Sequence, residues 1–294
     1  MRSDVEIRVP NSFNLFLLGD MQWGNVGTYE RGLDAAFAAI HSEYEGCKAN
    51  IVCIMGDVID AVSVADVRFS IDSVPHRLMQ LRAQIEHAIS RLSEIRGKVA
   101  VVLKGNHEQK WVNSYGEIGA EIAAALRAEY GHYCCTPTFI SRTRREILFR
   151  AFLHHGFGKL TSSAKDSVQA RANVQAALKN RLQHLYAGAA VMAMGHTHQL
   201  LCVAPENSLQ ITSDPLGGLK QVYPARDGHH TTLQRKEIVP PESRWYINTG
   251  SFLRLYTDGA TGYAEIAGYR PTEMGYAVVV VRDGVINGVR LETV

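Results

Sequence analysis

The sequence predicts an α/β fold with two β-sheets packed face to face between helices. Three observations lead there. Through the first 130 residues, apolar runs of strand length alternate with segments whose apolar residues recur every three or four positions, the pattern of parallel strands joined by crossover helices. From about residue 138 the chain turns to hairpins and isolated strands, which one wound sheet does not accommodate. Finally, the apolar runs end again and again in a polar residue beside glycine, as strands do at a ligand-binding rim.

Taken in order, "FNLFLLGD" reads as a strand that stops at a turn. Residues 29–45 read as a helix with Leu33, Phe37 and Ile40 on one face. "ANIVCIMGD" is the next strand, and residues 75–96 form a helix in which Leu78, Leu81, Ile85, Ile89 and Leu92 share a stripe, with Pro75 suited to its first turn. "KVAVVLKGN" is a third strand, and residues 117–130 an alanine-rich helix. Right-handed β-α-β-α-β crossovers follow from this order.

"TFISRTRREILFRAFLHHG" then reads as a hairpin feeding a buried strand, and residues 165–186 as a long helix with Val168, Ala172, Leu178, Leu182 and Leu185 inward. "GAAVMAMGHTH" is a further strand. Residues 204–243 carry prolines and no sustained period, so they read as a surface excursion within one domain spanning 1–294. "RWYINTGSF", "GYAEIAGY" and "GYAVVVVRDGVINGVRLETV" read as β-rich, with Asp283-Gly284 and Asn287-Gly288 as tight-turn dipeptides.

Composition narrows the function. A charged fraction of 20% beside 46% hydrophobic residues excludes a disordered chain, and a net charge of +2 lacks the strong basic bias of an obligate nucleic-acid binder. The five cysteines, Cys47, Cys53, Cys134, Cys135 and Cys202, form no CxxC and read as reduced thiols. "MRSDVEIRVP" has no apolar core of a secretory signal, and no apolar run approaches a membrane span. A soluble cytoplasmic protein is the expectation.

The strand ends carry the chemistry. They present Asp20 with Gln22, then Asp57 and Asp60, then Asn106, His107 and Glu108, then His154 and His155, then His196 and His198. Carboxylate, amide and imidazole without thiolate suit Mn²⁺, Fe or Zn²⁺ in a catalytic role. The set exceeds the roughly three protein ligands of one catalytic metal, so it fits two metals about 3.5–4 Å apart that activate a bridging water and clamp phosphoryl oxygens.

The ordered motifs "GDMQ", "GDVID", "GNHE", "LHHG" and "GHTH", with "YINTGSF" after them, resemble the calcineurin-like metallophosphoesterase family from about Asn14 to Phe252. The resemblance implies a four-layer α-β-β-α sandwich of two mixed β-sheets flanked by helices. It implies hydrolysis of phosphate mono- or diesters by a metal-bridged hydroxide. Position by position, Asp57 would bridge two divalent ions. Asp20, Gln22 and His198 would hold the first. Asn106, His196 and His155 (rather than His154) would hold the second. His107 would assist at the phosphoryl group, oriented by Asp60. Mn²⁺ is the first expectation for the metal, with Fe, Zn²⁺, Mg²⁺ or Ni²⁺ as the others.

Two positions depart from the pattern. Gln22 stands where the family has histidine; either its amide oxygen ligates weakly, as a harder donor that favours Mn²⁺ or Mg²⁺ over Zn²⁺, or the first site is partly empty until substrate arrives. Ala61 stands where the protein phosphatases of the superfamily carry arginine, so phosphate grip falls to other cations. Lys159 and the basic hairpin Arg142, Arg144 and Arg145 are the candidates, with Lys110 and Trp111 as further pocket residues. The alternatives are a single-stranded nucleic-acid nuclease, for which Lys220, Tyr223, Arg226, His229, His230, Arg235 and Lys236 would form a basic track, and a metal-bound scaffold protein.

Overall fold

The structure is a computed structural model describing residues 1–62, 66, 69–206, 209–223, 233–261 and 263–294. Its strands are β1 (Glu6–Val9), β2 (Phe13–Leu18), β3 (Asn50–Ile54), β4 (Val99–Val102), β5 (Glu129–Tyr130), β6 (Cys134–Cys135), β7 (Thr138–Ser141), β8 (Ile147–His154), β9 (Val191–Met194), β10 (Leu200–Val203), β11 (Gln210–Ser213), β12 (Leu219–Val222), β13 (Trp245–Thr249), β14 (Gly275–Arg282) and β15 (Val285–Thr293). The helices are α1 (Glu30–His41), α2 (Leu81–Ser93), α3 (Asn106–Gln109), α4 (Ile118–Leu126), α5 (Ser167–Leu182) and α6 (Tyr263–Ile266).

Two mixed sheets carry the fold. The first runs β15-β14-β2-β3-β4-β5, with β2 to β5 parallel and β14 antiparallel to both neighbours. The second runs β1-β7-β8-β9-β13-β10, with β6 also on β8; its centre, β8-β9-β13, is parallel.

Side-chain alternation sorts the core into layers. From β2, Phe13, Leu15 and Leu17 point at the second sheet, joining Phe149, Leu153, Val191 and Ile247. Phe16 and Leu18 point the other way, onto Leu33, Phe37, Ile85 and Ile122 of the helices. On the outer side of the second sheet, Phe152, Met192 and Tyr246 pack on Leu178 and Leu182 of α5. The order is therefore helices, sheet, sheet, helix: the four-layer α-β-β-α sandwich. No described helix is long and apolar enough to cross a membrane.

Several local expectations are corrected. The helix expected from residue 75 starts at Leu81, because Gln80 is extended (ψ 136°); His76–Leu78 forms a separate 3₁₀ turn. The helix expected over 165–186 is Ser167–Leu182, and Val168, Ala172 and Leu185 are exposed. Its first turns pass over an open cleft, not over the sheet, so only Leu178 and Leu182 are buried. "GYAEIAGY" holds the single helical turn α6 instead of a strand; it falls in the strap between β13 and β14, and β13 is already flanked by β9 and β10. Asp283 (φ 51°) and Gly284 (φ 81°) make the tight turn between β14 and β15, but Asn287-Gly288 lies inside β15 at a register shift.

The inter-sheet core yields a prediction. Phe149 is fully buried in a cluster of three stacked rings, 4.7 Å from Phe139 and 6.2 Å from Phe13. Phe149→Ala is expected to lower the unfolding free energy by about 3–5 kcal/mol, read by urea denaturation with an unchanged m-value.

Candidate metal centre

Parallel strands from both sheets end at one rim. The β2–β3 register runs on beyond the strands: Asp20 N donates to Gly56 O at 3.0 Å, Gln22 N to Asp57 O at 3.0 Å, and Trp23 N to Val58 O at 3.0 Å. Two loops are thus zipped together with their polar residues side by side. The loop after β13 closes on them, as Phe252 N donates to Asp20 O at 3.1 Å and Ser251 Oγ to the same oxygen at 3.0 Å.

The backbone here is strained. Asp20 (φ 53°), Gln22 (50°), Asp57 (48°), Ala61 (49°), His196 (70°) and His198 (55°) all adopt the left-handed region without being glycine. Such residues cost on the order of 1 kcal/mol or more each and persist where the surroundings over-determine them. One support is Gln84, buried in α2: its Oε1 accepts from Ala61 N at 2.9 Å and its Nε2 donates to Leu78 O at 2.8 Å. Glycine is required where loops touch. A Cβ on Gly105 would lie 1.9 Å from Asp57 Oδ1, and one on Gly195 2.6 Å from Asp20 Oδ2.

The side chains converge in two overlapping groups. In the first, Asn106 Oδ1 lies 3.0 Å from His155 Nε2 and 2.7 Å from His196 Nδ1, and His155 Nε2 is 3.4 Å from Asp57 Oδ2. Ligand atoms of Asp57, His155 and His196 all fall within 4.8 Å of one another. In the second, His198 Nε2 lies 3.3 Å from Asp20 Oδ1 and 3.3 Å from the Gln22 amide nitrogen. Backbone donors fix both carboxylates: His107 N reaches Asp57 Oδ1 at 3.0 Å, and His196 N reaches Asp20 Oδ2 at 3.0 Å.

The donor set fits a metal ion on its own chemistry. His155 Nδ1 lies 2.9 Å from Met55 O, a carbonyl that can only accept, so Nδ1 carries the proton. In the neutral ring Nε2 then presents a lone pair to an amide oxygen and a carboxylate oxygen, and only a cation relieves that repulsion. A proton does so in the metal-free state. Burial opposes charge on His155, but Asp57 outweighs it and raises the pKa to about 9. Burial likewise opposes the Asp57 carboxylate, and His155 and His107 hold it well below the usual range. Burial also opposes charge on His198, yet its hydrogen bond to Asp20 raises the pKa. His196 is lowered, by burial and then by His155.

His107 stands beside this group, 3.8 Å from Asp57 Oδ2 through Nε2. Its Nδ1 faces the backbone oxygen of Asp60 and lies 3.5 Å from that residue's carboxylate. Glu108, which the sequence marked without a role, is fully buried and accepts backbone N–H groups from Gly105 (2.7 Å), Asp57 (3.2 Å) and Ile59 (3.0 Å). It ties the β3 loop to the β4 loop. Burial, and then the charge of Asp57, raises its pKa. The acid of "GNHE" was visible in the sequence. Gln84, 23 positions from Ala61 in the loop after β3, gave no signal.

The remaining candidates separate. His154 is turned from the rim: its Nδ1 accepts from Gly156 N at 2.8 Å, and burial, with His155 and His196, pushes its pKa down to about 4. Trp111 donates to Ala61 O at 2.9 Å, and Lys110 pairs with Asp66 at 3.2 Å. Lys159 lines a cleft of about 940 Å³ that opens from the rim, together with Gln22, Asp60, Asn106, His107, His196 and His198. Arg142, Arg144 and Arg145 do not. Their hairpin lies at the start of β8, whose eight residues span about 26 Å to His155, and Arg142 donates to Arg8 O while Arg144 pairs with Glu146. The 204–243 excursion also leaves from the far end, since β10 starts at the rim with Leu200 and runs antiparallel to β13. Lys220, Tyr223, Arg235 and Lys236 line no part of the cleft, and Arg235 pairs with Glu146 at 3.0 Å. Arg226, His229 and His230 lie outside the described residues.

No family model matches the chain, and no curated protein matches it significantly. Among solved structures, a crystal structure of wild-type Vps29 complexed with Zn²⁺ from Entamoeba histolytica is similar at 12% identity, covering 96% of this chain and 98% of that one. Its TM-score is 0.28, too loose a superposition to carry weight for the fold or the site.

The His155–Asp57 pair predicts a pH dependence. His155 is raised in the folded state from 6.5 to about 9, so its charged form stabilises the metal-free protein below about pH 6.5 and that contribution is lost as pH rises through about 9. A metal needs the deprotonated ring, so its affinity changes in the opposite sense. Thermal scans of chelator-treated protein should show Tm falling over this window, and the upward shift produced by Mn²⁺ should grow across it.

Proposed function

We propose that the protein is a metal-dependent hydrolase of phosphate mono- or diesters. The observation that carries this reading is the convergence of acceptor atoms from Asp57, Asn106, His155 and His196 beside the imidazole of His107, at the wall of an open cleft. Asp57, Asn106, His155 and His196 would hold one divalent ion; Asp20, Gln22 and His198, with Asp57 shared, would hold a second. Bound divalent metal supplies positive charge that polarises phosphoryl oxygens and activates water for in-line attack.

The chain's own residues do the rest. In hydrolysis the water oxygen forms the new P–O bond, the bond to the leaving oxygen breaks, and a proton ends on that leaving oxygen. His107 is the group for the proton. Asp60 O accepts a hydrogen bond from Nδ1, which leaves Nε2 as the nitrogen that would donate into the reaction space, with the Asp60 carboxylate 3.5 Å from Nδ1 holding the ring in that orientation. Gly105 and Gly195 let Asp57 and Asp20 approach neighbouring backbone without a Cβ between.

With its amide turned so that the oxygen replaces the nitrogen now facing His198, Gln22 would favour Mn²⁺ or Mg²⁺ at this position, because an amide oxygen is a harder donor than imidazole. The basic stretch that would support a nucleic-acid track leaves from the opposite end of the sheet, which favours smaller phosphoesters.

Two measurements test this. Mn²⁺-loaded protein should hydrolyse bis(p-nitrophenyl) phosphate, and His107→Ala should reduce kcat by roughly 10²–10⁴-fold with metal content unchanged by elemental analysis. No turnover of any phosphoester with Mn²⁺, Mg²⁺, Zn²⁺ or Ni²⁺ would leave the scaffold reading in its place. Separately, Gln22→Ala should weaken one of two calorimetric Mn²⁺ binding events by at least about 10-fold, and Gln22→His should shift preference toward Zn²⁺. Unchanged isotherms in both variants would remove Gln22 from the ligand set.

A further inference from the structure

The rim residues occupy one wall of the 940 Å³ cleft, and a phosphoryl group fills a small part of it. The rest has a composition of its own. Away from the rim, its charged residues are Lys159, Arg171, Arg254 and Arg270 against a single acid, Glu273. Between them stand apolar side chains, among them Leu160, Val174, Leu253 and Leu255.

These cations come from three separate pieces of chain. Lys159 follows β8, Arg171 lies in the first turns of α5, and Arg254 and Arg270 belong to the strap between β13 and β14. Two are held in place: Lys159 Nζ donates to Tyr269 Oη at 2.9 Å, and the Arg254 guanidinium lies 5.5 Å from the Tyr29 ring centre, with Arg254 N donating to Gly27 O at 2.9 Å. The strap is tied to Asp20 through Ser251 and Phe252, so Arg254, two residues further on, sits at a fixed offset from the rim. Arg171 and Arg270 are exposed and make no ion pair among the described residues. Cations that balance no protein carboxylate, on the wall of a cleft, create a field that selects anions.

Resting on the hydrolase reading above, we infer that the cleft selects phosphoesters carrying a second phosphate joined to an apolar or aromatic body. The scissile phosphorus lies at the rim, the second phosphate against Arg171 and Arg270, and the apolar body among the leucines. A small molecule fits this better than a nucleic acid, because leucines interrupt the charge along the cleft wall.

The test uses full-length Mn²⁺-loaded protein, wild type and the Arg171→Ala/Arg270→Ala double variant. Bis(p-nitrophenyl) phosphate has no second phosphate. A dinucleoside diphosphate and a prenyl diphosphate share the second phosphate and differ in the body, so comparing them separates a flat ring from a lipid tail. For whichever diphosphate is turned over, the double variant should raise KM by about 10-fold or more with kcat held, because charge-assisted hydrogen bonds are lost. Turnover of bis(p-nitrophenyl) phosphate should stay unchanged. Equal effects on both substrate types, no effect on either, or a preference for single-stranded DNA over both diphosphates overturns the inference and leaves the hydrolase reading standing. Calorimetric binding of ADP gives a readout apart from activity. If nothing is hydrolysed but ADP binding still weakens about 10-fold in the double variant, the hydrolase reading fails and the anion-selective cleft survives. If ADP binds both proteins equally, the cleft assignment fails.

Discussion

Four acceptor atoms directed at one point set the terms for the rest of this structure. With its Nδ1 committed to Met55 O, His155 Nε2 faces Asn106 Oδ1 and Asp57 Oδ2, an arrangement that calls for a positive charge, and His196 Nδ1 lies 2.7 Å from the same Asn106 oxygen. In the metal-free state a proton on His155 answers that demand. The chain around the cluster holds it in place: the inter-sheet core is aromatic and close-packed, and each loop that carries one of these atoms is bonded to another.

That rigidity explains the local violations. Six non-glycine residues in the left-handed region would be a liability on a free loop. Here the β2 and β3 loops continue their ladder, Glu108 gathers three backbone donors, and Gln84 holds Ala61. Each of these buried polar groups is satisfied by backbone, which turns a possible weakness of the interior into the means of positioning the rim. The strain concentrates where the chemistry is, and the regular strands beneath absorb it.

The cleft adds a second layer of selectivity to the same frame. Its rim is built from residues at strand ends, whose positions follow from sheet register. Its far wall is built from α5 and the β13–β14 strap, and no strand of either sheet contributes to that strap. The two walls are thus free to vary separately: on the proposed reading the rim would fix which bond is attacked, and the wall what is attached to it. This division suits a fold that positions reacting groups on rigid elements and leaves recognition to loops.

The sequence by itself determined the elements that local physics controls. Period-2 and period-3.6 patterns located both sheets and most helices, because burial of one face leaves its mark on every second or third residue. Polar residues at strand ends such as Asp20, Asp57 and His196 were equally legible, since glycine beside a carboxylate or imidazole after an apolar run is conspicuous. The tertiary structure decided what depends on distance through space. Arg142 and Arg144 looked available for phosphate until β8 placed a full strand between them and His155. Val168 and Leu185 fit an inward stripe, yet the first turns of α5 pass an open cleft and leave Val168 in solvent, and Leu185 falls beyond the end of the helix at Leu182. Gln84, Arg171 and Arg270 carry no local pattern at all; their roles arise from which loops lie against them, and only the folded chain brings those loops together.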